Sequence, residues 1–239
     1  MKIFLDTAET STIRDHFFTG LIDGVTTNPT LIMKSGRDPE DVYDEIVDMG
    51  VKDISMEVVG DSDEMLREGL RLSQKFGSVA TIKVPCTREG LGACKVLSDE
   101  GIKVNVTLIF NAAQAILSAK AGATYVSPFI GRLDDNSVAG LEVIRSISEV
   151  FRVQKVEKTK ILAASIRDVY KVSRAFWNGA DIVTMPPKIF DGMYKHILTD
   201  KGLEIFDADY QATVSRVNKS AYQPPSTIRA RVGGDLDAF

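Results

Sequence analysis

Short runs of β-branched and apolar residues recur along the chain. They alternate with longer stretches in which apolar positions return every three or four residues. The first pattern has the period of a strand and the second that of an amphipathic helix, so their alternation predicts repeated βα units. Eight strands are predicted: KIFLD (2–6), GVTTN (24–28), DISMEVV (53–59), VATIKV (79–84), KVNVTLI (103–109), TYVSP (124–128), KILAAS (160–165) and DIVTM (181–185). Helix starts are expected at Thr10-Ser11-Thr12, Asp38-Pro39, Asp61-Ser62, Thr87-Arg88, Asn111-Ala112 and Ser137. Short polar side chains there satisfy free amides, and acidic ones meet the helix dipole. Gly77, Gly101, Gly122 and Gly179 stand where a helix closes before the next strand, a position that favours a left-handed residue. Eight such units predict a (β/α)8 TIM barrel as a single domain over residues 1–217, with an open doubly wound sheet as the alternative.

Beyond Val217 the apolar period stops. Residues 218–239, with two prolines and two glycines, read as a C-terminal tail, disordered or packed on a neighbouring subunit. The stretch GLGAC (90–94) lacks the third glycine of a nucleotide loop and falls inside a predicted helix, so it carries no such reading.

Composition narrows the classes. With 239 residues, 44% of them hydrophobic, the chain can bury the core of one such barrel. Lys and Arg total 29 against 33 Asp and Glu, a net charge of −4, and no basic run follows a phosphodiester backbone, so nucleic acid is not an expected partner. MKIFLDT turns acidic after three apolar residues, and no later apolar run reaches ~18 residues. A cytoplasmic protein without a membrane partner is expected. In that setting Cys86 and Cys94 read as reduced thiols, and the sequons at Asn105 and Asn218 as chance matches. His16 and His196 are the two histidines, too few for a histidine-rich zinc site, so neither metal nor cofactor is expected. His16 and Trp177 read as helix-face residues.

Polar residues gather at the strand ends. Alternation along VATIKVP puts Thr81, Lys83 and Pro85 on one face and Ala80, Ile82 and Val84 on the other. The apolar face suits the helix ring, which turns Lys83 inward. Burial of an unpaired ammonium penalises its charged form, and the neutral amine is the form that attacks carbonyls. An ion pair with Asp6 or Glu57, without chemistry, is the alternative. Asp6, Thr26, Asn28, Glu57, Asn105, Thr107, Ser127 and Ser165 stand at or near the carboxyl ends of their strands, where barrel enzymes build their sites. Capping explains any one of them but not the set. Arg132 and Arg167, beside helix starts and a hydroxyl, suit a phosphate; surface pairs with Asp134 and Asp168 are their alternatives.

These residues carry a resemblance. LDT (5–7), GVTTNPTLI (24–32), IKVP (82–85), NVTLIF (105–110), AGATYVSPFIGRLDD (121–135) and AASIR (163–167) resemble the transaldolase family, in particular its short subfamily, which includes fructose-6-phosphate aldolases. The resemblance runs from residue 1 to about 217. It implies a class I transaldolase in which Lys83 forms a Schiff base with a ketose phosphate, fructose 6-phosphate or sedoheptulose 7-phosphate. The dihydroxyacetone unit passes to glyceraldehyde 3-phosphate or erythrose 4-phosphate, as in the pentose phosphate pathway. It further implies Asp6 as the acid/base at the C4 hydroxyl and Glu57 with Thr107 as holders of the water of imine chemistry. Asn28, Asn105 and Ser127, with Thr26 beside them, would bind the dihydroxyacetone portion, and Arg132, Ser165 and Arg167 the phosphate. Aldolases of the subfamily tend to carry Gln and Tyr where this chain has Glu57 and Phe129, so the transaldolase is implied, with release of dihydroxyacetone as the alternative. Homo-oligomeric rings, often decamers, are implied as well. A sugar-phosphate binder that uses Lys83 only for an ion pair is the remaining alternative.

Overall fold

The computed structural model describes residues 1–216, so the predicted tail at 218–239 lies outside the described residues. The chain begins with β1 (Lys2–Asp6), α1 (Thr10–Phe17), β2 (Gly24–Thr26), α2 (Pro29–Ser35), α3 (Pro39–Asp48) and β3 (Ile54–Glu57). It continues through α4 (Ser62–Phe76), β4 (Ala80–Pro85), α5 (Arg88–Asp99), β5 (Lys103–Ile109), α6 (Ala112–Lys120) and β6 (Tyr125–Pro128). Then come α7 (Ile130–Asp135), α8 (Gly140–Val153), β7 (Lys160–Ala163), α9 (Val169–Trp177), β8 (Ile182–Met185), α10 (Pro187–Gly192) and α11 (Ile197–Arg216). The eight parallel strands pair in chain order and β1 closes on β8, which makes a closed (β/α)8 barrel and not an open sheet. Met1–Tyr194 forms one compact unit, and a second begins at Lys195 with α11 as its described element.

Alternation sorts the strand side chains between two cores. Leu5, Val25, Ile54, Met56, Ile82, Val84, Val106 and Val183 face outward and join Ile13, Ile46, Leu72, Leu97 and Ile144 of the surrounding helices in the larger cluster. Inside the barrel, Phe4, Tyr125, Leu162, Ala164 and Ile182 form a smaller one. Near them the buried Asp53 accepts from Thr81 Oγ1 at 2.8 Å and Tyr125 OH at 2.7 Å and pairs with Lys103 Nζ at 3.1 Å. Its charge and lone pairs are thus met from three strands.

A close approach fixes Gly24. A Cβ there would lie 2.7 Å from both Asp53 O and Phe4 Cζ. Gly24→Ala is expected to lower the urea midpoint, by about 1–3 kcal/mol in unfolding free energy, the usual cost of overpacking.

Helix starts follow the predicted caps at Asp38, Asp61, Thr87 and Asn111, and Asp61 with Glu64 forms a full capping box. Two starts differ. Glu9 precedes α1 without a side-chain cap, and the helix expected at Ser137 begins at Gly140, because α7 intervenes and Ser137 itself is left-handed at φ 60°. The chain leaves β2 earlier than expected. Asn28 caps α2 by accepting from Leu31 N at 3.0 Å, and Pro29 opens that helix.

Candidate active site

Lys83 lies on the inner face of β4 and is 4% exposed. Strand register sets Glu57 directly opposite it, and its Nζ stands 2.9 Å from Glu57 Oε2 while donating to Thr27 O at 2.9 Å. The ion pair left open by the sequence is therefore formed, with Glu57 and not with Asp6. A buried pair of this kind is a weak source of stability, because desolvation offsets most of the attraction. Its placement gives it chemical interest. Lys83 opens into a cavity of about 120 Å³ together with Asp6, Thr26, Asn28, Asn105, Ser127, Phe129, Arg132 and Ser165.

Asp6 ends β1 on the same inner face. Thr26 Oγ1 donates to its Oδ1 at 2.7 Å and also lies 2.7 Å from Thr184 Oγ1 on β8. Burial pushes the Asp6 carboxyl above its ordinary range; Lys83 and the Thr26 bond oppose that rise without cancelling it, and Glu57 adds to it. A carboxyl held this way can take a proton and return it.

Two amides and the Ser127 hydroxyl form the neighbouring wall. Asn105 donates through Nδ2 to Ser55 Oγ at 3.1 Å, while Ser127 Oγ donates to Asn105 Oδ1 at 2.6 Å. Asn28, with Oδ1 held by the α2 cap, completes this side of the cavity. Thr107 is 1% exposed, and its Oγ1 has no hydrogen-bond partner among the described residues. That is an unusual state for a buried hydroxyl. Just beyond it, β5 shifts register against β6, and Leu108 takes φ 58°, a conformation that costs a non-glycine residue about 1–3 kcal/mol.

The opposite wall is built from the ends of β6 and β7. Phe129 bridges to Ala164, after which Ile130 N donates to Ala164 O and Gly131 N to Ser165 O, each at 3.0 Å. Ser165 also stands in the left-handed region, at φ 58°. The Arg132 guanidinium lies 4.9 Å above the Phe129 ring, a cation–π contact, and faces the cavity. Arg167 does not line the cavity; it pairs with Asp135 in a half-exposed contact. The surface pairs with Asp134 and Asp168 that were the alternative for these two arginines belong to Lys171, at 2.7 and 3.3 Å. Gly131 has a reason to be glycine here, since a Cβ would fall 2.3 Å from Ser165 O and 2.7 Å from Arg167 Nε.

Of the residues singled out in the sequence, Glu57, Thr107 and Arg167 stand outside the cavity lining, Glu57 reaching it only through Lys83. The sequence reading passed over Ser55, Leu162, Ala164 and Thr184, of which the last three line the cavity. Thr184 carried a signal, a polar residue in the apolar run of β8 on the inward face shared with Ile182. His16 lies away from this cavity, on α1, with Nε2 2.8 Å from Asp191 Oδ1. Among the described residues no cluster of three or more His, Cys, Asp or Glu is placed to hold a metal ion, and no helix is long and apolar enough to cross a membrane.

The sequence pattern of the family described as Transaldolase/Fructose-6-phosphate aldolase matches residues 3–227. A protein of Paracoccus denitrificans named "Probable transaldolase" is 52% identical over 218 residues, 91% of this chain and all of its own. One of the same name from Caulobacter vibrioides is 52% identical over 214 residues, 89% of this chain and 98% of its own. A third, from Caldicellulosiruptor saccharolyticus, is 51% identical over 211 residues, covering 88% and 97%.

Proposed function

The chain belongs to the transaldolase/fructose-6-phosphate aldolase family, and from that premise we propose that it is a transaldolase acting through a Schiff base on Lys83. It moves a dihydroxyacetone unit from fructose 6-phosphate or sedoheptulose 7-phosphate to glyceraldehyde 3-phosphate or erythrose 4-phosphate. The observation that carries this reading is a buried amine, 2.9 Å from a carboxylate and facing a cavity that a second, proton-binding carboxyl shares.

The steps follow from these groups. Glu57 takes a proton from Lys83 across their contact, and the freed amine adds to the C2 ketone. The C2 oxygen takes one proton from the added nitrogen and the other back from Glu57 and leaves as water, which gives an iminium, with Glu57 and the unpartnered Thr107 hydroxyl holding that water. Asp6 then takes the C4 hydroxyl proton; C4 becomes a carbonyl, and the electrons of the C3–C4 bond pass to the iminium. An aldose phosphate leaves, and a three-carbon enamine stays on Lys83 until a second aldose phosphate accepts it by the same steps reversed.

Asn28, Asn105 and Ser127 hold the hydroxyls of the retained unit, and Arg132 with Ser165 faces the phosphate. Arg167 joins them by leaving Asp135. An exposed pair is worth about 0–1 kcal/mol, so a phosphate dianion can displace it.

Whether the enamine waits for an acceptor separates the transaldolase from the aldolase. Phe129 packs against Phe110 at 6.1 Å under the Arg132 guanidinium and brings no hydroxyl to activate water. Phe129→Tyr is therefore expected to raise release of free dihydroxyacetone from fructose 6-phosphate severalfold, measured without acceptor; unchanged release would refute this account of the partition.

The enzyme is proposed to work in the cytoplasm, in pentose phosphate interconversions, and to assemble with copies of itself. The apolar residues Leu198, Leu203, Ile205 and Phe206 of α11 support the assembly. Borohydride reduction with fructose 6-phosphate, followed by peptide mass analysis, tests the mechanism. A dihydroxyacetone-sized adduct on Lys83 is expected; no adduct, or one on another lysine, overturns it.

A further inference from the structure

We propose that Thr184 is a positioning residue which, through Thr26, fixes the hydrogen-bond direction at Asp6 and holds that carboxylate ready to accept the substrate proton. The inference deepens the proposed function and rests on it for the role of Asp6. Its geometry stands by itself.

Thr26 has one hydroxyl proton and two acceptors within reach, Asp6 Oδ1 and Thr184 Oγ1, each at 2.7 Å. While Asp6 is ionised it can only accept, so the Thr26 proton points to Asp6. The 2.7 Å contact with Thr184 is then a bond only if Thr184 donates to Thr26. The three groups form a single file, Thr184 to Thr26 to Asp6, drawn from β8, β2 and β1 where the barrel closes. Each donor in such a file strengthens the next. Thr184 and Thr26 are both 2% exposed, so little of either side chain is open to solvent. Oδ1 already accepts from this file, and Oδ2 keeps both lone pairs for the substrate hydroxyl. The charged groups acting on Asp6 are Lys83 of β4 and Glu57 of β3, both separate from the file.

The test titrates Asp6 directly, by carboxyl carbon NMR of the aspartate-labelled protein without substrate, the signal being assigned with Asp6→Asn. In Thr184→Val, which keeps the side-chain volume and removes the hydroxyl, the Asp6 titration is expected to move to higher pH by about half a unit. The acid limb of kcat/KM should move with it, a loss of about threefold below the limb and less above it. Thr184→Ser, which restores the donor, should return both toward the native values. A titration that stays in place, or moves to lower pH because Thr26 had been donating to Thr184, overturns the inference, whatever the melting temperature does. The two readouts also separate this inference from the function beneath it. An Asp6 titration that shifts in a protein without transferase activity removes the proposed reaction alone, whereas full transferase activity with an unshifted titration removes the role of Thr184 alone.

Discussion

Lys83→Ala is expected to lower turnover on the order of 10⁴-fold or more, the scale on which loss of a covalent nucleophile acts, and to abolish borohydride trapping with fructose 6-phosphate. The same substitution should destabilise the fold. It leaves the Glu57 side chain, 13% exposed, without its cation, and breaking a buried pair from one side costs about 3–5 kcal/mol. Thr27 O loses a donor as well. The double variant Lys83→Ala with Glu57→Gln removes the stranded charge and should recover most of the stability while recovering none of the activity. Denaturant midpoints of the two variants, set beside their turnover, separate catalysis from folding. Turnover that survived in the stable double variant would end the case for a Schiff base at this position.

Asp6→Asn should act at a different step and in the opposite sense on stability. Losing the base at the C4 hydroxyl is expected to cost about 10²–10⁴ in carbon–carbon cleavage. Lys83 and Glu57 remain, so the substrate imine still forms and should be trapped by borohydride as an adduct of the whole sugar phosphate. The stability effect follows from the raised carboxyl pKa. A folded state that holds this proton more tightly than the unfolded chain loses stability as pH rises from the ordinary carboxylate range through the raised value. Above it, ionised Asp6 is a net burden on the fold. The amide carries no charge and still accepts from Thr26, so the variant should melt higher than the native protein at pH 7, with the difference shrinking as the pH falls. A lower melting temperature at pH 7 would show that attraction to Lys83 outweighs the burial of Asp6.

The sequence is more informative about faces than about partners. Period-two alternation placed Lys83 inward and Ile82 and Val84 outward, and the structure has them so. The same rule contains Thr184, which shares the inward face of β8 with Ile182 one residue short of the strand end. Partner choice depends on quantities that a one-dimensional pattern lacks. Glu57 and not Asp6 meets Lys83 because β3 is the neighbour of β4 and the register sets the two residues opposite, whereas β1 lies across the interior. Arg167, in the loop between β7 and α9, finds Asp135 at the end of α7, a contact with no spacing rule behind it. The Asn28-Pro29 pair is legible in principle as a helix opening, and an expected strand over 24–28 makes β2 two residues too long, by Thr27 and Asn28.

The two asparagines of the cavity have lost half of their vocabulary. Asn28 spends its carbonyl oxygen on the first turn of α2, and Asn105 spends its own on Ser127. What the two amides chiefly keep for a guest is N–H, two on Asn28 and one on Asn105, whose other donates to Ser55 Oγ, while each carbonyl retains a single lone pair. A ligand is thus read on this side by its lone pairs. Hydroxyl oxygens answer both amides, while a protonated amine in their place would set cation against donor twice. The helix cap and the barrel wall, formed as part of folding, settle the polarity of that question before any sugar arrives.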